Sequence, residues 1–312
     1  MGGGSLATGW GDGALTWNHS TSARASGDLP HRRPWRWYRH DQNDDAGVRH
    51  QKARSVNAVR FAVAGDWHGD LSIARAVIRT LKSEDIHLLL HVGDLAVRWP
   101  GPKKGRFDKR LGQLLDDADI EFLFIDGNHD NHKELRELSP LPDGTKRLSD
   151  QIRYLPRGAV IERQGIRIGG LGGAYSVDRR WRTEGKDLWA DLEEPTPGEA
   201  ERLMASAPVD VLLTHDAPAS VQGLEGFTLP PEIASAAERT RGLLQRTVEV
   251  LQPALLFSGH WHQRRSQELL WGDGTVTAAH VLAHEGSWGG NAVLVQWAED
   301  GTSEVMPLWL KS

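Results

Sequence analysis

Residues 58–69 read AVRFAVAGDWHG, a short apolar run that ends in glycine, aspartate and histidine. The run Ala58–Ala64 is almost continuously apolar, which is typical of a strand buried on both faces. Four later segments repeat this pattern of an apolar run followed directly by a polar cluster. Open α/β sheets bind ligands beyond the carboxyl ends of their strands, so we expect the five clusters to meet there.

The polar clusters are rich in side chains that bind metals, and glycine stands beside most of them. Glycine lets the backbone turn sharply and approach a bound ion or phosphate closely. A lone Asp-x-His or His-x-His is more often a helix cap, a turn or a satisfied core histidine. Five clusters, each directly after a predicted strand, are much harder to ascribe to chance. They are Gly65–Gly69, Gly93–Asp94, Gly127–Asp130, Thr214–Asp216 and Gly259–His262.

Apolar runs and helical patterns alternate from residue 58 onward, which indicates a layered α/β protein. The predicted buried strands are Ala58–Ala64, Ile86–Val92, Ile120–Ile125, Val209–Thr214 and Ala254–Ser258. Helical spacing is found at Leu71–Lys82, Phe107–Ala118, Asn131–Leu138, Glu199–Ala207 and Glu238–Leu251. A second set of strands, several joined by glycine turns typical of hairpins, comprises Ala159–Arg163, Ile166–Leu171, Thr275–Ala283, Ala292–Trp297 and Glu304–Leu310. We therefore predict two mixed β-sheets packed together, with helices outside.

Composition excludes several classes of protein. The 312 residues, 39% of them hydrophobic, are enough for a sizeable core. A net charge of -5 argues against general, charge-driven binding to nucleic acid or membrane surfaces. Because the chain has no cysteine, any metal must be held by His, Asp, Glu or Asn. We see no secretory signal and no stretch as long as a membrane span, and expect a soluble, cytoplasmic protein.

The N-terminal segment, residues 1–57, has too few apolar side chains to offset the entropy of ordering, so we predict a disordered tail. Within it, His31–His40 reads HRRPWRWYRH and interleaves arginine with aromatic residues. Such a composition can stack on bases and pair with phosphates, which makes nucleic acid a possible partner of the tail. The alternative is an idle tail, or a start codon assigned too far upstream.

The ordered set DxH, GD, GNHD, H and GHxH resembles the calcineurin-like metallophosphoesterase superfamily, from about Arg60 to His262. The resemblance implies a domain over residues 58–312 with a four-layer α/β fold, in which two mixed β-sheets form a sandwich flanked by helices. It further implies that one metal is bound by Asp66, His68 and His262, that a second is bound by Asn128, His215 and His260, and that Asp94 bridges the two.

The implied chemistry explains these residue types. Two divalent cations about 3.5–4 Å apart lower the pKa of a water between them and polarise the phosphoryl oxygens that it attacks. Mixed histidine and carboxylate ligands suit manganese, iron, zinc or nickel better than calcium, without choosing among them. By resemblance, His129 faces the substrate and stabilises the phosphoryl group or protonates the leaving alkoxide. Asp130 either orients the His129 ring or caps the helix that starts near Asn131.

A long insertion, Gly172–Pro197, separates the third and fourth clusters. Its arginines, Arg179, Arg180 and Arg182, are candidates for binding a substrate phosphate while a tryptophan of the insertion stacks on a base. The alternative is a solvated loop that its tryptophans pin to the body. Trp67 and Trp261 each stand between paired ligands, where they either line the site or pack in the core.

The second and third clusters do not follow the pattern of the superfamily's protein Ser/Thr phosphatases, which carry Asp-Arg-Gly after the second cluster and Glu after Asn-His. The chain looks more like the small bacterial and phage-type members.

We consider three hypotheses for the function. The first hypothesis is a two-metal phosphoesterase acting on phosphomonoesters or phosphodiesters of small molecules or nucleotides. The second is a metal-dependent nuclease, and the third is a non-catalytic metal-binding scaffold. The sequence predicts no membrane partner and leaves the oligomeric state open.

Overall fold

Two mixed β-sheets form the centre of the structure, a computed structural model that describes residues 58–310 apart from positions 227 and 288. The predicted tail, residues 1–57, lies outside the described residues. The strands are β1 (Val59–Ala64), β2 (Leu88–His91), β3 (Glu121–Phe124), β4 (Lys146–Arg147), β5 (Ile152–Tyr154), β6 (Ala159–Arg163), β7 (Ile166–Leu171), β8 (Val211–Thr214), β9 (Leu255–Ser258), β10 (Arg265–Leu270), β11 (Val276–Val281), β12 (Ala292–Trp297) and β13 (Ser303–Pro307).

The first sheet has seven strands in the order β13-β12-β1-β2-β3-β5-β4, and the second has six in the order β10-β11-β9-β8-β7-β6. Strands β1, β2, β3 and β5 run parallel in the first sheet. Strands β7, β8, β9 and β11 run parallel in the second. Antiparallel strands complete both sheets, so each sheet is mixed as predicted.

Helices cover the outer faces of the sheets. They are α1 (Leu71–Ser83), α2 (Arg106–Asp116), α3 (His132–Glu137), α4 (Ala190–Glu193), α5 (Pro197–Ala205) and α6 (Pro231–Leu251), with a 3₁₀ turn at Arg179–Trp181. The Asp70 side chain caps α1 by accepting from the Ser72 and Ile73 amides. Thr196 and Glu199 form a capping box on α5. None of the helices in the described ranges combines the length and apolar character needed to cross a membrane.

Alternating side chains along the central strands separate three apolar clusters, which gives four layers. Phe61 and Val63 of β1 pack against side chains of the second sheet, such as Phe257 of β9, in the cluster between the sheets. Ala62, with Ala64, faces the helices α1 and α2. A third cluster lies between the second sheet and the helices α5 and α6. The arrangement confirms the predicted four-layer α/β sandwich.

Most predicted elements are present, with ends that shift by no more than three residues. The larger differences occur where apolar signal is weak. Helix α6 starts at Pro231 rather than Glu238, because proline is well suited to a first helical turn and few large apolar residues mark that turn. Strand β10 was not predicted, because most of its residues are exposed and polar. The short β4, β5 and α4 were also missed.

Candidate metal centre

The five polar clusters follow the carboxyl ends of β1, β2, β3, β8 and β9, as predicted. Strands of both sheets contribute, and hydrogen bonds join the loops of one sheet to those of the other. The His260 amide, after β9, donates to Asp66 Oδ1, after β1, at 3.0 Å, and the His215 ring, after β8, donates to the Val92 carbonyl, after β2, at 2.7 Å. The sandwich therefore brings the loops of two different sheets to one place.

Two groups of side chains in this place could each hold a metal ion. The first comprises Asp66, His68, Asp94 and His262, and the second comprises Asp94, His215 and His260. Within each group the ligand atoms all lie within 4.8 Å of one another. The Asn128 Oδ1 atom lies 3.1 Å from His215 Nε2 and so joins the second group. All seven residues predicted as ligands are thus gathered together.

Asp94 lies between the two groups. Its Oδ2 atom is 3.3 Å from His68 Nε2, and its Oδ1 atom is 3.3 Å from His215 Nε2. The Oδ1 atom also accepts a 2.7 Å hydrogen bond from the His129 amide. The two carboxylate oxygens therefore face different groups, which is the geometry that a bridging ligand requires.

The backbone at these residues is strained. Among the described residues, eleven non-glycine residues adopt left-handed φ values, and five of these are predicted ligands, with φ of 43–66°: Asp66, His68, Asp94, His260 and His262. Such conformations cost about 1–3 kcal/mol each and persist only where the surroundings enforce them. The backbone also lies close to the carboxylates of this site. A Cβ atom on Gly127 would collide with the Asp94 carboxylate, and one on Gly259 would collide with the Asp66 carboxylate.

Outer contacts fix the orientation of the histidine rings. The His215 Nδ1 atom donates to the Val92 carbonyl at 2.7 Å, which leaves Nε2 to face Asp94. The His68 Nδ1 atom lies 2.9 Å from the Glu285 carboxylate, which leaves its Nε2 in the same way. Pairing of one ring nitrogen with a carbonyl or carboxylate is how proteins hold metal-binding histidines.

The electrostatics fit a cation. Burial and repulsion from Asp94 raise the pKa of Asp66 to about 7, because together they outweigh the attraction of His215. The Asp66 Oδ2 atom is buried and has no hydrogen-bond partner among the described residues. Burial lowers the pKa of His260, and it lowers that of His262 to about 3. Both rings are therefore neutral at pH 7 and offer a nitrogen lone pair to a metal.

His129 lies half-buried beside the first group. Its ring centre is 5.8 Å from that of His68 and 5.9 Å from that of Trp99. Its Nε2 atom is 3.8 Å from Asp178 Oδ2. Burial lowers the pKa of His129 to about 4, against the attraction of Asp94. The ring is thus placed next to the ligands without belonging to either group.

Asp130 does not have the predicted contact with the His129 ring. Its carboxylate accepts hydrogen bonds from the amides of Leu95, Val97 and Gly127 at 2.8–3.4 Å. The cap of α3 is the neighbouring Asn131, whose side chain accepts from the Glu134 amide. The predicted orienting role is therefore wrong, as is the capping alternative. Asp130 instead ties the loop after β2 to the loop after β3.

The three insertion arginines have different surroundings. Only 7% of the Arg182 side chain is exposed, and it donates to Asn128 O, Ser176 Oγ, Asp187 O and Glu193 Oε1. Arg179 donates to Ser176 O and Glu194 and stacks on Tyr175. Because these donors are used within the protein, a phosphate-binding role for either arginine is not supported. Arg180 is exposed and stacks on Trp181.

Trp67 packs in the core, and Trp261 lies partly buried against the apolar cluster between the second sheet and the helices α5 and α6. Trp67 is fully buried and donates to Asn291 Oδ1, and Trp261 donates to Asp216 Oδ1.

The sequence interpretation also missed two neighbours of the site. Glu285 lies in the connection between β11 and β12, where no motif marks it. Trp99 follows the Gly93–Asp94 cluster by five residues, and this short spacing was the available signal.

The sequence matches the calcineurin-like phosphoesterase family over residues 59–264. It is 27% identical over 241 residues to a lariat debranching enzyme of Danio rerio, covering 65% of this chain and 40% of that protein. It is 28% identical over 242 residues to a lariat debranching enzyme of Mus musculus, covering 65% of this chain and 42% of that one. The chain thus spans about 40% of the length of these curated relatives.

Solved structures share the fold. The crystal structure of TT1561 of Thermus thermophilus aligns with a TM-score of 0.52 at 14% identity, covering 81% of this chain and all of that one. The family match spans about two thirds of the residues, from the first strand of the sandwich to the last of the five polar clusters. The chain therefore belongs to the calcineurin-like phosphoesterase family.

Proposed function

We propose that the protein is a binuclear metal-dependent phosphoesterase that hydrolyses phosphomonoesters or phosphodiesters of small molecules or nucleotides. One metal is held by Asp66, His68 and His262, the other by Asn128, His215 and His260, and Asp94 is shared. The observation that carries the proposal is the position of Asp94, whose two oxygens face the two groups. A scaffold that had lost catalysis would not be expected to keep every ligand and His129 in place.

Each residue of the proposed site has a distinct role. When bound, the two cations supply Lewis acidity and lower the pKa of the attacking water. Asp94 keeps the two groups together, and its bond from the His129 amide fixes the backbone that presents the His129 ring. That ring hydrogen-bonds a phosphoryl oxygen or gives a proton to the leaving oxygen. Asp178, 3.8 Å from His129 Nε2, is placed to stabilise the ring when it is protonated.

The test compares a chromogenic phosphomonoester with the matching diester, using protein stripped of metal and resupplied with Mn²⁺, Zn²⁺, Fe²⁺ or Ni²⁺. We expect turnover only with added metal, and the preferred ester separates a phosphatase from a phosphodiesterase. His129→Ala should lower kcat by about 10²–10⁴-fold while bound metal is unchanged. Full turnover by His129→Ala, or turnover without metal, would contradict the assignment.

A metal-dependent nuclease is the second candidate. The curated relatives are named lariat debranching enzymes, which favours a diester within a branched nucleic acid. The basic, aromatic stretch His31–His40 is the proposed binding segment, and residues 58–312 are the proposed catalytic domain. A protein lacking residues 1–57 should then keep turnover of small diesters and bind nucleic acid more weakly. Unchanged nucleic-acid binding would remove the role of the tail.

A further inference from the structure

Trp99 lies beside the catalytic position of the proposed reaction. Its ring centre is 5.9 Å from that of His129, with the planes tilted by 41°. The buried Trp189 meets the Trp99 ring edge-on at 6.0 Å, and the Arg182 guanidinium lies 5.9 Å from it. Trp99 itself is only partly buried. A partly open indole therefore adjoins the ring that faces the phosphoryl group.

The loop that carries Trp99 is held firmly in a strained form. The non-glycine residues Ala96 and Arg98 have left-handed φ values of 62° and 46°. The Val97 amide donates to Asp130 at 3.0 Å, and the Asn131 amide donates back to the Val97 carbonyl at 3.3 Å. The Arg98 amide donates to the Asp108 carboxylate, and the Arg98 carbonyl accepts from the Asn131 side chain. Strain maintained by so many contacts is typical of a functional segment.

The other tryptophans considered near the site are less suited to bind a substrate. Trp67 has no exposed surface, and Trp189 is 7% exposed. Trp181 is 66% exposed, but the Arg180 guanidinium lies 4.0 Å above its ring, closer than the Arg182 guanidinium, which lies 5.9 Å from the centre of the Trp99 ring. Trp99 is thus the tryptophan of this group that combines partial exposure with contact to His129.

We propose that Trp99 stacks on the base of a nucleoside phosphate whose phosphoryl group lies beside His129. The inference rests on the proposed function and narrows its substrate class to nucleotides. Aromatic side chains bind any base through its flat face, so stacking gives preference for a nucleoside over an alkyl group without choosing the base. The buried Trp189 and the strained loop keep the indole in place, so that little entropy is lost when the base binds.

The first experiment uses two diesters that release the same phenol: the 4-nitrophenyl ester of thymidine 5′-monophosphate and methyl 4-nitrophenyl phosphate. The wild-type protein should have a higher kcat/KM for the nucleoside ester. Trp99→Leu should lower the ratio of the two kcat/KM values by about tenfold, mainly through KM, and Trp99→Phe should restore most of it. Trp181→Leu, which removes an exposed indole of the insertion, is the control and should leave the ratio unchanged.

The second experiment measures binding instead of turnover, so that the proposal is tested even if neither ester is cleaved. Calorimetry on the full chain compares a non-cleavable phosphonate analogue of AMP with the same ribose phosphonate lacking the base. We expect the base to tighten binding by about tenfold in the wild type and not in Trp99→Leu. Equal losses for both ligands, or a base effect that survives Trp99→Leu, would overturn the proposal. Absent turnover with an intact base effect would instead reject the proposed function.

Discussion

Single side chains around the ligands decide how well the site is organised. The Glu285 carboxylate lies 2.9 Å from His68 Nδ1, and the Glu285 amide donates to the Asp66 carbonyl at 3.0 Å. Glu285 therefore contacts two residues of the first group without being a ligand. Burial of Glu285 opposes ionisation, but the hydrogen bond with His68 outweighs it and lowers the pKa of Glu285 to about 2. The carboxylate is therefore ionised at neutral pH.

Replacing Glu285 with alanine removes the acceptor that orients His68. We expect Glu285→Ala to weaken binding of one metal by about 10–100-fold, because outer partners of metal-binding histidines have effects of this size. Competition with a chromogenic chelator measures the affinity of each site. Glu268→Ala, on exposed surface of β10, is the matched control. Equal affinities in Glu285→Ala and the control would show that Glu285 does not position His68.

At this scale the sequence predicted that the candidate ligands converge, but not which residues support them. Asp66, Asp94 and Asn128 each follow a recognisable apolar strand, so their convergence could be inferred from the rule for parallel sheets. Glu285 lies in a connection between β11 of one sheet and β12 of the other. Its approach to His68 depends on how the two sheets stack, which no local pattern encodes.

The insertion is tied to the sheets by a buried ion pair. Arg157, after β5, contacts Asp126, after β3, at 2.5 Å, and only 4% and 2% of these side chains are exposed. Arg157 also donates to the Glu193 and Glu194 carbonyls at the end of α4. One guanidinium thus joins two strand ends to the insertion, and Asp126 lies two residues before the proposed ligand Asn128.

Arg157→Met would leave the Asp126 carboxylate buried without its main partner. Breaking a buried pair in this way costs about 3–5 kcal/mol, so the free energy of unfolding should fall by that amount. Urea denaturation measures it. The exposed pair of Arg147 and Asp150 supplies the control, because Arg147→Met should cost no more than about 1 kcal/mol. Similar values for both variants would contradict the structural role of Arg157.

A second ion pair gives a pH dependence of stability. Burial of Asp143 opposes ionisation, but hydrogen bonds from Thr145 and Arg163 outweigh it and lower the pKa to about 2. A lowered folded-state pKa means that Asp143 stabilises the fold above its ordinary value of 3.8, and that this contribution is lost as the pH falls towards 2. Asp143→Asn should therefore destabilise the protein at about pH 6 and have a smaller effect near about pH 2.5. A pH-independent difference in unfolding free energy would contradict this.

Elements were predictable where a run of apolar residues is bounded by clear turns. The strands β6, β7 and β12 match their predicted bounds, since their apolar residues and turns mark both ends. Strand β10 is an edge strand with one buried side chain, Leu269, so its pattern is mostly polar. Strand β5 has three residues, too few to show a period. Pairing with neighbours, rather than local preference, determines such strands.

In the whole molecule, the candidate metal ligands lie where the carboxyl ends of strands from the two sheets meet. A ligand that binds only the folded state stabilises it by mass action, by about 2.7 kcal/mol at a hundred times its Kd. Removing metal with a chelator should therefore lower the Tm by several degrees, and refilling should restore it. Differential scanning calorimetry of the wild type measures this, with Asp94→Ala as a variant whose Tm should respond less. An unchanged Tm would mean that metal does not connect the sheets.

The most direct test of the two-metal centre measures bound metal and diester hydrolysis on the same samples of the wild type and Asp94→Ala. For the wild type we predict two transition-metal ions per chain, and turnover that a chelator abolishes and added metal restores. Asp94→Ala should hold fewer ions, because both groups share its carboxylate, and should lose at least about a hundredfold in kcat. Wild-type metal content and turnover in Asp94→Ala would contradict a centre bridged by Asp94.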